Sequence, residues 1–304
     1  MTDQATRPAR TPVVEVPAEP VRRRSYRHRP AAIAGRTLVV LLATAGGLVF
    51  LSVLAYAVLT ALKPAGEVLA VPLSWLPSHF DWGNLALPFT QTPFARYYGN
   101  SVFVGVCVTA LNVLTCTAAG YSFAKFRYRG RNAAFVIVLA TLMVPVEIIY
   151  VPLYTLVYQL GWVDSFAGLI VPAGTSAFGI FLMRQAIDGV PDELLEAARL
   201  DGAGELRTLV SIVVPVVRGP MAALALFVFM TNWDSHLWPL LVASDDDHRT
   251  LPVGLAAMQA NNLGSAGVPM MMAAALLALL PTVLLFVTLQ KRFVEGVTMS
   301  AGIR

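Results

Sequence analysis

Six long apolar stretches constrain the fold of this chain more than any other feature of its sequence. A helix needs roughly 20 consecutive apolar residues to cross about 30 Å of hydrocarbon. The composition agrees with such crossings, because 57% of the residues are hydrophobic and only 13% are charged. The sequence therefore predicts an all-α polytopic membrane protein with six transmembrane helices. These cover about residues 37–62, 99–123, 133–157, 165–186, 220–242 and 270–290.

The distribution of positive charge predicts how the chain is oriented in the membrane. With the N-terminus inside, the inner segments hold 19 Lys and Arg residues, and the outer segments hold only Lys63, Arg96 and Arg249. Lys and Arg accumulate on the cytoplasmic side of multi-pass proteins. We therefore expect cytoplasmic N- and C-termini in a cytoplasmic (plasma) membrane protein. The orientation in the membrane explains why the chain has a net charge of +4. No nucleic-acid partner is therefore expected.

The chain divides into a short polar segment and one long domain. Residues 1–34 are rich in Pro and Arg without an apolar period, which predicts a disordered, basic, cytoplasmic N-terminal segment. Its run RRRSYRHR fits a topology anchor better than a contact with anionic lipid headgroups, although both remain open. Residues 35–304 form the predicted transmembrane domain. Within it, the proline- and aromatic-rich segment 63–98 predicts an ordered external loop that can meet an extracytoplasmic partner.

A polar segment at 187–219 interrupts the apolar stretches on the predicted cytoplasmic side. Pro191 suits a first helical position, and Asp192 and Glu193 complement the helix dipole. Gly202 can adopt the left-handed conformation that ends a helix. A helix of about ten residues is not stable alone. It must therefore pack either on its own spans or on another protein.

The sequence of this segment resembles the EAA loop of ABC-importer permease subunits. The resemblance implies that the segment is a coupling helix, which docks on an ATP-hydrolysing subunit and transmits its closure to the spans. The matching positions are Glu196, Ala197, Ala198, Asp201, Gly202, Ala203, Ile212 and Pro215.

Four further stretches extend the resemblance over about residues 35–304. Residues 123–132 are similar to the family's cytoplasmic connection after the second span. Residues 181–198, 232–240 and 293–302 resemble the maltose-type, carbohydrate-uptake branch, and glycerol-3-phosphate-type permeases are about equally similar. That branch typically ends in Lys-Gly, whereas this chain ends in Gly-Ile-Arg, which leaves a contact between the tail and the ATPase open.

The resemblance implies a fold, a set of partners and a mechanism. The fold is the transmembrane domain of a type I ABC importer in a lipid bilayer. The partners are a second, homologous permease subunit, two ATP-binding subunits and an extracytoplasmic solute-binding protein. ATP and Mg²⁺ bind the ATPase, so this chain carries no cofactor. It would translocate a carbohydrate or a related polyol or glycerol-phosphate solute by ATP-driven alternating access.

Missing motifs separate this prediction from enzymatic alternatives. The chain contains no GxxxxGK[ST] phosphate loop and no HExxH or CxxC motif. We therefore predict no catalytic residue and no metal site. An intramembrane enzyme would need a nucleophile or metal set at one depth. An ion-coupled secondary transporter of a small polar solute remains the alternative, but it predicts internal repeats and leaves the cytoplasmic helix unexplained.

Polar and aromatic residues at mid-membrane depth predict a path for the solute. Carboxylates accept hydrogen bonds from hydroxyls, and aromatic faces pack on sugar C–H groups. Charged groups there need water, substrate or a partner subunit rather than lipid. Asn232 and Asp234 also fit a polar lock between permease subunits, and Trp238 and Tyr158 fit interface anchors. The predicted path residues are Glu147, Tyr150, Tyr154, Asn232, Trp233 and Asp234.

Overall fold

The computed structural model describes residues 30–300 except residues 69, 73 and 262–266. The described residues form helices and loops without a β-strand, as predicted. Short 3₁₀ turns cover Ala65–Glu67 and Trp82–Leu85, and a π-helical turn covers Leu209–Val213. The α-helices are α1 Pro30–Ala61, α2 Leu87–Gln91, α3 Phe94–Lys125, α4 Arg131–Thr141, α5 Val146–Gln159, α6 Phe166–Ile170, α7 Ala177–Asp188, α8 Asp192–Leu200, α9 Glu205–Thr208, α10 Val214–Val216, α11 Arg218–Trp233, α12 Leu237–Val242, α13 Leu251–Asn261 and α14 Gly267–Ser300.

The helices give up to five candidate membrane spans by length and composition among the described residues. Three are single helices, Thr37–Ala61, Phe94–Lys125 and Gly267–Leu285. The other two are bent pairs, namely α4 with α5 and α9–α10 with α11. The predicted span at 165–186 is divided between α6 and α7, each shorter than a bilayer crossing. Six spans and cytoplasmic termini therefore stay predictions.

Prolines lie at both bends. The axes of α4 and α5 differ by 100°, and Pro145 is the residue before α5. The axes of the second pair differ by 84°, with Pro215 just before the bend and Pro220 just after it. Proline lacks the amide donor of a regular helix and clashes with the preceding turn. Pro152 is an exception, since it lies inside α5 without ending the helix.

Helix α3 is the centre of the packed core, with α7 and α11 against it. Gly120 of α3 lets α7 approach closely, since a Cβ there would lie 2.8 Å from Met183 Cβ and from the Arg184 nitrogen. Gly179 of α7 likewise lets Cys116 of α3 approach closely, because it has no Cβ. Small residues at such positions let membrane helices pack at short distance.

The chain forms two compact units, residues 1–52 and 53–304. In the first unit, α1 begins at Pro30, inside the segment predicted to be disordered, because proline suits the first turn of a helix. Residues 1–29 of that segment lie outside the described residues. The arginine-rich run at 22–29 is among them.

Internal hydrogen bonds order the loop between α1 and α3 in its described part. Lys63 is 3% exposed and donates to the Ser74 carbonyl, while Asn84 Nδ2 donates to the Lys63 carbonyl at 2.9 Å. Ser78 donates both its backbone N–H and its hydroxyl to the Glu67 carboxylate. These two bonds hold the pKa of Glu67 below its usual value.

Candidate functional site

The predicted coupling helix is present as α8, Asp192–Leu200. Pro191 is the residue before the helix, one position earlier than predicted. Gly202 has a φ of +80° and ends the helix as predicted. Its N–H donates to the Arg199 carbonyl at 3.1 Å, and the Ala203 N–H donates to the Ala198 carbonyl at 2.9 Å. This pair of bonds satisfies carbonyls that a helix end otherwise leaves free.

Helix α8 has one face on its own chain and one open face. Leu195 and Ala198 are 2% and 6% exposed, and Leu195 belongs to the main hydrophobic core. Glu196 and Ala197 are exposed on the open face, and Leu200 is 89% exposed. The chain's own spans therefore hold the helix without covering it. The other predicted coupling residues follow this division, with Asp201 and Gly202 exposed and Ala203 half-buried.

Lys125, the last residue of α3, fixes the beginning of α8. Its side chain is 7% exposed. Its Nζ donates to the Val190 carbonyl at 2.6 Å, to Asp192 Oδ1 at 2.7 Å and more weakly to the Asp188 carbonyl at 3.4 Å. The same ammonium group holds the pKa of the exposed Asp192 carboxyl below its usual value.

A second set of contacts from α3 fixes the end of α8. Tyr121 is 3% exposed, and its hydroxyl donates to Glu205 Oε2 at 2.7 Å. The other oxygen of Glu205 accepts from Arg199 Nε at 3.0 Å. A polar groove of about 680 Å³ lies between α8 and the end of α3. Sequence reasoning missed Tyr121 and Lys125, because only the fold brings α3 next to the polar segment.

A second groove lies among α3, α5, α7 and α11, at the level of the predicted solute path. Its volume is about 330 Å³. Two of the six predicted path residues, Tyr150 and Asn232, line it, and the other four do not. The lining residues are Val108, Asn112, Val146, Tyr150, Leu153, Pro172, Ala173, Thr175, Ser176, Phe178, Phe227, Val228, Thr231, Asn232, Ser235 and Trp238.

The other four predicted path residues lie elsewhere. Trp233 is 4% exposed in a separate core cluster, and its Nε1 donates to the Ala278 carbonyl at 3.2 Å. Asp234 is exposed directly after α11, and Glu147 is exposed in the first turn of α5. Tyr154 is half-buried against the main core. Neighbouring residues on a helix point about 100° apart, so Asn232 and Trp233 face different surroundings.

Trp238 lines the groove instead of facing the membrane interface as an anchor. It is 7% exposed, and its Nε1 donates to the Gly168 carbonyl at 3.1 Å. Its ring lies 5.6 Å from the Tyr150 ring. The break between α11 and α12 turns this part of the chain inwards, which the sequence pattern does not reveal. Tyr158 is 67% exposed, as an anchor would be.

The groove can hydrogen-bond a ligand but offers it no charge. Asn112 is engaged, since it donates to the Ala173 carbonyl at 3.1 Å and accepts from the Ser176 hydroxyl at 3.2 Å. The side chains of Asn232 and Ser235 also line the groove, and they form no hydrogen bond within the described part of the chain. No group of three His, Cys, Asp or Glu residues suited to a metal ion occurs among the described residues.

Known proteins match this chain over most of its length. It is 32% identical over 248 residues to the arabinooligosaccharides transport system permease protein AraQ of Halalkalibacterium halodurans, covering 80% of this chain and 87% of that protein. It is 35% identical over 240 residues to the sn-glycerol-3-phosphate transport system permease protein UgpE of Pectobacterium atrosepticum, covering 77% and 85%. It is 37% identical over 213 residues to the lactose transport system permease protein LacG of Rhizobium radiobacter, covering 70% and 77%.

A solved structure and a family model agree with these relatives. The crystal structure of a bacterial ABC transporter involved in import of the acidic polysaccharide alginate contains a chain with the same fold. The TM-score is 0.77 at 22% identity, covering 87% of this chain and 98% of that one. The model of the binding-protein-dependent transport system inner membrane component family matches residues 116–299. The protein is therefore a membrane-embedded transport component rather than an enzyme, and it belongs to this binding-protein-dependent transport family.

Proposed function

We propose that this chain is one of two permease subunits of an ABC importer that takes up a carbohydrate. ATP-driven closure of two ATP-binding subunits would move α8, and the spans would then open the groove towards an extracytoplasmic solute-binding protein. The family and the printed names of its relatives support this assignment. The observation that carries it is α8 itself, a helix held by its own chain on one face and open on the other.

The anchoring of α8 supports its role as the contact for an ATP-binding subunit. A surface helix without a partner would leave Leu200, which is 89% exposed, and Leu194, which is 45% exposed, in water. Exposed apolar groups beside polar ones are typical of protein interfaces. Lys125 and Tyr121 join both ends of α8 to the same span, so a displacement of α8 is transmitted directly to α3.

The groove favours a neutral, polyhydroxylated solute over an anionic one. Every lining residue is uncharged, and Tyr150, Trp238 and Phe178 supply aromatic surface. Asn232 and Ser235 supply free hydrogen-bonding groups. A phosphorylated solute would require a cation to balance its charge, and none lines this groove. Among the solutes in the relatives' names, arabinooligosaccharides and lactose therefore fit this subunit better than sn-glycerol-3-phosphate.

Reconstituted uptake tests both parts of the proposal. The complete importer in proteoliposomes, with its binding protein and ATP, should accumulate labelled oligosaccharide, and unlabelled glycerol-3-phosphate should compete poorly. Tyr150→Phe and Asn232→Ala should lower uptake of the sugar, whereas Tyr158→Phe, the same change on an exposed tyrosine outside the groove, should not. Preferential uptake of glycerol-3-phosphate would overturn the solute assignment.

The coupling role is tested separately from the solute. Glu196→Lys reverses a charge on the open face of α8 without removing a contact within the chain. We expect weaker co-purification with the ATP-binding subunit and a loss of ATP-driven uptake. Unchanged assembly and uptake in this variant would show that α8 does not contact the ATPase.

A further inference from the structure

The loop that joins α3 to α4 forms a basic groove outside the predicted solute path. Arg127 and Tyr128 lie at its edge and also line the polar groove beside α8. The basic groove has a volume of about 350 Å³, and no acidic residue lines it. Arg127 and Arg129 are exposed and form no hydrogen bond or ion pair within the described part of the chain. The lining residues are Arg127, Tyr128, Gly130, Arg131, Asn132 and Ala133.

The neighbouring charges leave this groove positive. Of the acidic residues that line the adjoining groove with Arg127, Asp192 is already paired with Lys125 at 2.7 Å and Glu205 with Arg199 at 3.0 Å, which leaves Glu196 opposite the arginines of the loop. Arg131 is turned partly inwards, where its Nη1 donates to the Phe126 carbonyl at 3.0 Å. This bond shapes the loop. Arg127, which lines the groove, and Arg129, an exposed neighbour on the same loop that does not line it, remain available to an anion. Guanidinium groups bind phosphate oxygens through two parallel hydrogen bonds.

An apolar stripe continues from this groove along α4. Val136 and Ile137 are 61% and 67% exposed, and Ala133 and Ala140 are exposed with them. Residues at this spacing share one face of a helix. The groove therefore joins a cationic end to an apolar strip, which is the shape of a site for an amphiphile with an anionic head.

The position of the groove relative to the candidate spans indicates which kind of amphiphile it would bind. Candidate span α3 ends at Lys125, and the bent candidate span of α4 and α5 begins at Arg131. The loop between them therefore lies at one surface of the bilayer, where lipid phosphates are located. The stripe on α4 leads from that surface into the hydrocarbon layer, which a water-soluble ATPase would not cover. Tyr128, at 45% exposure, suits this boundary.

We propose that the groove at residues 127–133 binds the phosphate headgroup of an anionic phospholipid, with an acyl chain along Ala133, Val136, Ile137 and Ala140. An arginine near an anionic membrane surface changes binding about fivefold, and two arginines change it on the order of 25-fold. The site does not depend on the identity of the transported solute.

Lipid competition on the complete importer tests this site. The probe is phosphatidylglycerol against phosphatidylcholine with the same acyl chains, in nanodiscs, with retained lipid counted by native mass spectrometry. The wild type should prefer phosphatidylglycerol, and this preference should weaken as salt is raised. Arg127→Gln with Arg129→Gln should reduce the preference about 25-fold, and Arg127→Lys should retain part of it. The control Arg207→Gln removes an equally exposed arginine outside the groove and should change nothing.

Four results would overturn the proposal. One is a loss of preference in Arg207→Gln as large as in the double variant, which would indicate only a general effect of net charge. Another is displacement of the lipid by inorganic phosphate as readily as by short-chain phosphatidylglycerol, which would indicate an anion site without a chain. The third is lipid binding that disappears when the ATP-binding subunits assemble, which would make the groove a protein interface. If the double variant fails to assemble, the wild type alone still tests the site. A preference for phosphatidylglycerol that does not weaken as salt is raised would also refute the proposal.

Discussion

Replacing Lys125 by methionine should loosen α8 from the spans while leaving the rest of the core in place. Methionine keeps an unbranched side chain one atom shorter than that of lysine but donates no hydrogen bond, so the Val190 carbonyl loses its 2.6 Å partner. A hydrogen bond to a charged group is worth about 1.5–3 kcal/mol. The full value is expected here, because the Lys125 side chain is only 7% exposed and water weakens its hydrogen bond little. Because the Asp192 carboxylate is exposed to water, the expected loss comes from the bond to the Val190 carbonyl.

The expected readout is local opening of α8. A loss of about 1.5–3 kcal/mol raises the population of the opened helix about 10- to 150-fold. Hydrogen–deuterium exchange of the α8 amides in the assembled importer should accelerate by that factor. Exchange in the middle of α3 should not change. ATP hydrolysis should continue in proteoliposomes, with less solute imported for each ATP consumed.

Two matched variants test whether the buried bond from Lys125 to the Val190 carbonyl is what protects the α8 amides from exchange. Lys125→Arg keeps the charge and a donor and should retain most of the protection. Asp192→Asn removes only the exposed ion pair and should have a small effect. Equal acceleration in Asp192→Asn and Lys125→Met, or unchanged exchange in Lys125→Met, would refute the reasoning from the Val190 carbonyl.

Three further predictions concern backbone freedom, close packing and pH. Gly202→Ala should destabilise the end of α8 by about 1–2 kcal/mol, because φ is +80° there; Gly202→Asn should cost less, and equal thermal stability of the two variants would argue against strain. Gly120→Ala should lower the thermal stability of the importer, because the new Cβ would meet the backbone of α7 at 2.8 Å. Gly99→Ala, with nothing within 4 Å, should be neutral or stabilising, and a similar loss in both would contradict the packing argument. Because the pKa of Glu67 is lowered by Ser78, its contribution to the loop between α1 and α3 is complete above the ordinary glutamate pKa of about 4.3 and is lost as the pH falls through the lower folded value. Limited proteolysis of this loop should accelerate in that acid range, and Ser78→Ala should be less sensitive to acid.

Local chemistry made helix α8 predictable. Pro191, two acidic residues and Gly202 determine where α8 begins and ends, and these signals act within a few residues of the chain. The structure answers one part of the choice that the sequence left open: Leu195 packs on the chain's own core, and Glu196 stays exposed. The contact with an ATP-binding subunit remains a prediction.

The groove at Tyr150 and Asn232 was only partly predictable, because its lining depends on how distant helices rotate and break. Depth along a span placed Asn232, Trp233 and Asp234 together, but depth does not determine the direction of a side chain. Packing of α11 against α14 draws Trp233 into a core. The turn after α11 brings Trp238 inwards to the groove. Neither the sequence of α11 nor that of the turn after it indicates these long-range contacts.

The continuity of α3 has a mechanical consequence for the whole subunit. Asn112 at the groove and Lys125 at α8 lie on the same helix, 13 residues or about 20 Å apart at 1.5 Å per residue. No proline occurs in α3, whereas α4–α5 and α9–α11 both contain sharp bends. A force applied at Lys125 therefore reaches Asn112 as a rigid shift or tilt of the entire rod. We expect the bends in the neighbouring spans to be the places where those spans adjust to its movement.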